Sequence, residues 1–272
     1  MIRLILKLGW PATIIFLWGC FALFGGFMGL NPNHIELPKI LLEPGVDAWL
    51  GYDDLGRPLW DRLVAGAQTS FVVAVVVVFL SSIIGTVIGA VSAYKGGWLD
   101  HLIVRIIDIF LAFPGILLAI ALAGLLGPGI NNVIIALSVV GWVGFARLAR
   151  AQVLTIKHRD HIQAANSLGT RPTSIIFRHI IPLIMAPLIV EATFAVAGAV
   201  ISEAGLSFLG LGVQPPEASW GSMIRDGARY LLVAPHMVLV PGVMLMLVVL
   251  AVNLLGDQLR DRLDVHSRQR EK

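Results

Sequence analysis

Five long stretches of the chain are strongly apolar, and polar segments separate them. The stretches cover residues 8–30, 63–94, 109–146, 180–201 and 231–256. A helix needs about 20 apolar residues to cross the hydrocarbon core of a bilayer, so each stretch is long enough to span a membrane. The third is too long for one helix, and Gly127-Pro128-Gly129 predicts a tight turn within it. The pattern therefore predicts six transmembrane α-helices.

Two of the polar segments are too long to be simple turns. The first covers residues 31–62 and the second covers residues 151–181. In the second, the pattern around Ala164 and Ala165 predicts a helix that stops at Gly169, because glycine adopts the left-handed conformation of a helix cap at little cost. A turn and another helix follow. Two alternatives fit this pattern: a helix-turn-helix that another protein approaches closely, or an amphipathic helix resting on lipid headgroups.

The composition also indicates a membrane protein. Of the 272 residues 57% are hydrophobic and 14% are charged, and the mean hydropathy is +0.85. A soluble domain has about 25% charged residues, so this chain has too few to cover the surface of a soluble fold. The net charge is only +3, and no basic patch is interleaved with aromatic residues. We therefore expect no nucleic-acid partner.

Lysine and arginine residues are distributed unevenly between the two sides of the predicted spans. With the N-terminus in the cytoplasm, 15 of the 20 basic residues lie on the cytoplasmic side. This is the positive-inside pattern of membrane proteins, and the opposite orientation would invert it. Both termini are therefore predicted to be cytoplasmic, with residues 31–62 outside and residues 151–181 inside.

Several motifs resemble one family. Gln163-Ala164-Ala165, followed by Gly169 and Pro182, is similar to the coupling loop of permease subunits of ABC importers. Other stretches resemble the dipeptide, oligopeptide and nickel branch of these permeases. They are residues 51–57, 177–182, 206–216 with 219–221, and 253–261. The resemblance extends from about residue 50 to residue 264, and the order and length resemble the second permease subunit of that branch.

The resemblance implies an all-α membrane fold of the type I ABC importer permease kind. The hydropathy and charge patterns predict an N-terminal helix with an external segment in residues 1–62, and a permease core in residues 63–272. The implied function is that of one inner-membrane subunit of an ATP-driven importer of dipeptides or oligopeptides. Import of nickel or another small solute by the same architecture is the alternative. The implied partners are a second permease subunit in a heterodimer, two cytoplasmic ATPase subunits or domains, an external substrate-binding protein and membrane lipid.

The residues implied for coupling to the ATPases lie in a cytoplasmic loop at about residues 157–181 and just after it. They are Gln163, Ala164, Ala165, Gly169, Arg178, His179 and Pro182. Relatives usually have glutamate where this chain has Gln163. Glutamine keeps the hydrogen-bonding groups but loses the charge, so it cannot form the ion pair that glutamate could.

No Gly-x-x-x-x-Gly-Lys sequence occurs in the chain, so it lacks this phosphate-binding loop. We therefore expect ATP to bind to the partner subunits and this chain to hold no cofactor. The scattered histidines predict no metal site. A channel or a membrane enzyme is the alternative of a different class, but neither a filter motif nor a nucleophile constellation is present.

Two acidic residues in the fifth span are candidates for the solute path or a subunit interface. Glu191 lies near the middle of that span and Glu203 near its outer end. A neutral Glu191 bonded to a neighbouring helix, and a Glu203 that reaches headgroup water, are the structural alternatives. Ser81, Gly85 and Gly89 lie four residues apart in the second span and predict close helix packing, either within the subunit or between subunits.

Overall fold

The computed structural model describes residues 9–46 and 48–270, with side chains to residue 263. Within these ranges the chain is mainly α-helical. The helices are α1 Trp10–Phe24, α2 Leu59–Lys95, α3 Gly97–Leu111, α4 Gly115–Leu126, α5 Ile130–Ile156, α6 Asp160–Ser167, α7 Pro172–Ser174, α8 Ile181–Phe208, α9 Trp220–Ala228 and α10 His236–Arg270.

Five helical segments are long and apolar enough to cross a membrane. They are Trp10–Phe27, Leu59–Lys95, Ile130–Ile156, Pro172–Phe208 and His236–Leu263. The helices α3 and α4, a pair bent by 86°, together are also long and apolar enough to cross, which gives six candidate spans when the pair is counted as one. The all-helical fold with about six spans is therefore confirmed.

The third span is not the continuous helix that the apolar run from Ile109 predicts. It is broken at residues 112–114, between α3 and α4. Pro114 has no N–H to donate to the preceding turn, and its ring disfavours helical geometry in the residue before it. The prediction was wrong because hydropathy alone does not register one proline within an apolar run.

The broken span packs along α5. Near the cytoplasmic end Arg150 donates two hydrogen bonds of 2.7 Å to the Asp100 carboxylate. Further along, the rings of Phe110 and Trp142 meet edge to face with centroids 5.7 Å apart. Since Trp142 lies near the middle of α5, the break after α3 lies about halfway along the bundle.

Close packing of α2 against α5 forms the centre of the bundle. A Cβ at Gly85 would overlap the backbone of Trp142, and a Cβ at Gly89 would overlap the backbone of Ala146. The stripe of small residues is therefore used within the subunit, because only glycine lets the two backbones approach this closely.

A folded segment covers the outer ends of the helices. It links α1 to α2, and an isolated β-bridge joins Tyr52 to Pro58 within it. His236, at the start of α10, lies 3.2 Å from the carbonyl oxygen of Tyr52. This contact joins the outer segment to the start of the last helix, α10.

Candidate functional site

The helix α6 of the cytoplasmic loop ends in a glycine cap. Gly169 has φ +76°, in the left-handed region. Its N–H donates to Asn166 O at 3.0 Å, and the N–H of Thr170 donates to Ala165 O at 3.1 Å. This pair of bonds is the Schellman motif, which satisfies the last carbonyls of a helix. The predicted conformation of Gly169 is confirmed, whereas its role in docking stays a prediction.

Four isoleucines anchor this loop to the bundle. Ile162 of α6 is 1% exposed and belongs to the same core as the transmembrane helices. Ile175, Ile176 and Ile180, which follow α7, are also buried. In addition, Lys157 Nζ donates to Ala93 O at the end of α2, at 3.0 Å. The loop is therefore a rigid extension of the bundle.

The opposite face of α6 is open. Leu168 is 85% exposed at its C-terminal end, and Ala164 is exposed one turn before it. Gln163 is exposed as well, and its amide donates to His158 O at 3.0 Å. Ala165 packs partly against the core. An exposed leucine beside an exposed alanine makes a small apolar surface outside the transmembrane helices.

The remaining predicted coupling residues lie on the link to α8. Arg178 and Pro182 are exposed, and His179 is half-buried. Residues Ile175–Ile180 form a π-helical turn, in which the N–H of Ile181 donates to Ile176 O. Pro182 has no N–H for the carbonyl of Arg178, which a regular α-helix would require. The chain thus passes from the loop into α8 without leaving helical conformation.

A polar cleft of about 640 Å³ lies beside α6. Lys95 lines it on the side of the bundle, and Lys157, Gln163 and Asn166 line it on the side of the loop. Two lysines without a nearby acidic residue in this lining suit an acidic or carbonyl-rich partner segment.

Glu191 is half-buried on α8, beside α5. A Cβ at Gly144 would lie 3.3 Å from Glu191 Oε1. The carboxylate also borders a cavity of about 690 Å³ together with Gln152 and Arg260. Its predicted place at the solute path or at a subunit interface stays a prediction.

Glu203 does not reach headgroup water, so that structural alternative is wrong. The side chain is 1% exposed and accepts hydrogen bonds from Ser70 Oγ at 3.0 Å and Ser207 Oγ at 2.7 Å. Two serines on different helices satisfy the carboxyl group, so it does not need solvent. Its predicted role at the path or interface stays untested.

The outer segment holds a buried charge cluster that sequence reasoning missed. Arg57 Nε donates to Asp53 Oδ2 at 2.6 Å, and Arg62 Nε lies 3.3 Å from the same oxygen. Arg62 also donates to the carbonyl oxygens of Pro32 and Pro216. Burial raises the pKa of Asp54, and the neighbouring Asp53 charge raises it further. The sequence signal for this cluster was the opposite charge of Asp53 and Arg57, which lie four residues apart. Nothing in the sequence indicated that Arg62 would join them.

The sequence matches the profile of one protein family over residues 85–268: the binding-protein-dependent transport system inner membrane component. This chain belongs to that family. Similar relatives are the glutathione transport system permease protein GsiD of Escherichia coli O6:K15:H31 and of Shigella boydii serotype 4. Each is 43% identical over 232 residues, which cover 85% of this chain and 77% of the relative.

The fold is similar to that of solved permeases of this kind. Two inward-facing structures of the MetNI methionine ABC transporter align with TM-scores of 0.60 and 0.61, at 20% and 21% identity. Each alignment covers 75% of this chain and 96% of the other. The chain is an ABC importer permease of the binding-protein-dependent family, in the inner membrane, and the resemblance seen in its motifs is confirmed.

Proposed function

We propose that this permease carries peptide-type solutes inward, and that cytoplasmic ATPases drive it by docking on residues 157–181. One observation supports the docking most strongly. The loop fixes Ile162 in the core, and it leaves Leu168 almost fully exposed on the other side. Such a leucine contributes little to the stability of this chain, and a partner that covers it gains buried apolar area.

Peptide-type solutes are supported by the relatives. The GsiD proteins are named as permeases of a glutathione transport system, and glutathione is a peptide. The name of the family to which this chain belongs also supports a substrate-binding protein as a partner outside the membrane. A second permease subunit completes the path in this proposal, as a heterodimer with this chain.

The loop can transmit force because both of its ends continue into long helices. Only three residues separate α5 from α6, and the N–H of Lys157 donates to Val153 O within the last turn of α5. At the other end, the π-helical turn runs directly into α8. A displacement of α6 by an ATPase would therefore move α5 and α8 together.

Replacement of Gly169 with Val tests this function. A residue with a Cβ in the left-handed conformation costs about 1–2 kcal/mol, so the cap and the position of Leu168 should be distorted. We expect normal insertion of the permease, with uptake of trialanine lost and ATP hydrolysis no longer stimulated by loaded binding protein. The measurement is uptake and hydrolysis by the reconstituted transporter.

Gly127→Val is the matched control. Gly127 has φ +89° and open space around it, but it lies in the outer turn between α4 and α5. The control should retain uptake. Full uptake by abundant, assembled Gly169→Val would reject docking on the loop. Uptake of Ni²⁺ instead of trialanine by the wild type would reject the peptide assignment alone.

A further inference from the structure

The cavity of about 690 Å³ that Glu191 borders lies between α5, α8 and α10. Most of its lining is apolar, including Val190 and Phe194, whereas Gln152, Glu191 and Arg260 supply the polar groups. The lining extends to the cytoplasmic ends of the α8 and α10 spans, so the cavity opens towards the cytoplasm. A mainly apolar pocket of about 300–1,000 Å³ with a few polar groups is typical of a small-molecule site.

Glu191 lies well inside the membrane-spanning bundle. Its carboxylate is at the level of Gly144 in α5, because a Cβ on that glycine would lie 3.3 Å from Glu191 Oε1. Gly144 precedes the end of α5 at Ile156 by twelve residues, which is about 18 Å at 1.5 Å per residue. A carboxylate at such a place is costly in a membrane protein and indicates a functional site.

The Glu191 carboxylate also lacks a partner. Among the described side chains it forms neither a hydrogen bond nor an ion pair, and it is only half-buried, so it remains accessible from the cavity. Glu203, the other acid of α8, differs in both respects: it is buried and accepts hydrogen bonds from two serines. Glu203 therefore has a structural environment, whereas Glu191 keeps its hydrogen-bonding capacity for a ligand.

Arg260 brings the opposite charge to a similar depth. A Cβ at Gly256 would lie 2.6 Å from Thr193 Oγ1, so α10 and α8 are in contact there. The two helices run in opposite directions. Arg260 therefore lies four residues, and Glu191 two residues, to the cytoplasmic side of this contact, a difference in depth of about 3 Å. No ion pair joins the two side chains in the described part of the chain, although both line the cavity.

Two separated and opposite charges in an apolar cavity suit a zwitterion. A carboxylate such as that of Glu191 binds an ammonium group, and the guanidinium group of Arg260 binds a carboxylate through two parallel hydrogen bonds. The Gln152 amide can donate to or accept from either group. A zwitterionic lipid headgroup carries the same charges, but headgroups lie outside the hydrocarbon core, whereas Glu191 lies within the bundle.

We propose that this cavity is an inner subsite for a zwitterionic solute before its release to the cytoplasm. Glu191 binds the ammonium group of the solute and Arg260 binds its carboxylate, while Val190 and Phe194 contact its apolar part. That the zwitterion is a peptide rests on the proposed function, whereas the requirement for both charges does not.

The test measures the Kd of trialanine for the complex of permease and ATPase subunits, without binding protein or ATP. The complex is placed in nanodiscs of phosphatidylglycerol, which contain no zwitterionic lipid. Glu191→Gln should weaken binding of trialanine about tenfold and leave the Kd of N-acetyltrialanine unchanged, because that compound has no ammonium group. Arg260→Gln should weaken binding of trialanine about tenfold and leave the Kd of trialanine amide unchanged, because the amide has no carboxylate.

Asp257→Asn and Arg147→Gln are the matched controls. Both residues are exposed, Asp257 on α10 and Arg147 on α5, and neither lines the cavity. Both controls should retain the wild-type Kd for trialanine. No binding of trialanine to the wild type, equal losses for all three compounds, or the same loss in the controls would overturn the subsite.

Two further measurements separate the possible causes of failure. If phosphatidylethanolamine in the nanodiscs weakens binding of trialanine to the wild type but not to Glu191→Gln, the cavity holds a lipid headgroup and the solute subsite is rejected. Uptake of trialanine by the wild type with an unchanged Kd in both cavity variants would keep the proposed function and reject the subsite. Binding that requires both charges, without uptake of trialanine, would keep the subsite and reject the peptide function.

Discussion

At the outer end of this permease charged side chains are buried, and in its cytoplasmic loop apolar side chains are exposed. At the outer end, Asp53 is buried and is paired with Arg57 and Arg62 within the chain. In the loop, Leu168 is exposed and Ala164 beside it is uncovered. The outer segment pairs its buried charges within the chain but leaves Trp49 and Leu37 exposed, and the loop leaves Leu168 exposed. In the function proposed above, the cytoplasmic ATPases dock on this exposed surface of the loop.

The largest loss of stability is expected when the Asp53 carboxylate at the outer end is removed. Asp53→Ala leaves Arg57 and Arg62 buried with much less compensation, and breaking such a cluster costs about 3–5 kcal/mol. We expect low abundance in the membrane and a lower Tm of the purified complex. Glu36→Ala is the control, because Glu36 forms a partly exposed pair with Lys39, worth about 0–1 kcal/mol. Equal Tm values for the two variants would show that the outer segment is not held by this cluster.

Hydropathy predicted the spans because lipid requires long apolar helices. The cap of α6 followed from Gly169, since few other residues adopt its conformation. The motif around Gln163 indicated the family. Each of these features depends on residues close together in sequence, and for that reason a sequence pattern could predict it.

Features that depend on distant residues were not predictable. Arg62 was predicted only as the last residue of the external segment, and its contact with Pro216 joins residues far apart in the chain. Likewise, nothing near Ser81 in the sequence shows that its hydroxyl lacks a partner. The break before α4 was readable from Pro114, but the strength of the apolar pattern concealed it.

The smallest effect is expected from Gln163→Glu. The Gln163 side chain is exposed and makes one hydrogen bond, from its amide to His158 O. Loss of one exposed hydrogen bond and gain of one charge should change the free energy of unfolding by less than about 0.5 kcal/mol. Uptake of trialanine should remain within about twofold of the wild type. A large gain in uptake would instead show that the charge found in relatives contributes to coupling.

The most direct measurement of the difference between the two ends is the affinity of the ATPase subunits for permease carrying Leu168→Asp. The residue is 85% exposed, so the variant should fold normally and retain its Tm. A buried carboxylate at the interface should weaken the Kd at least about tenfold, whereas Leu232→Asp, at an equally exposed site on the outer side, should leave the Kd unchanged. An unchanged Kd for Leu168→Asp would contradict docking of the ATPases on this loop.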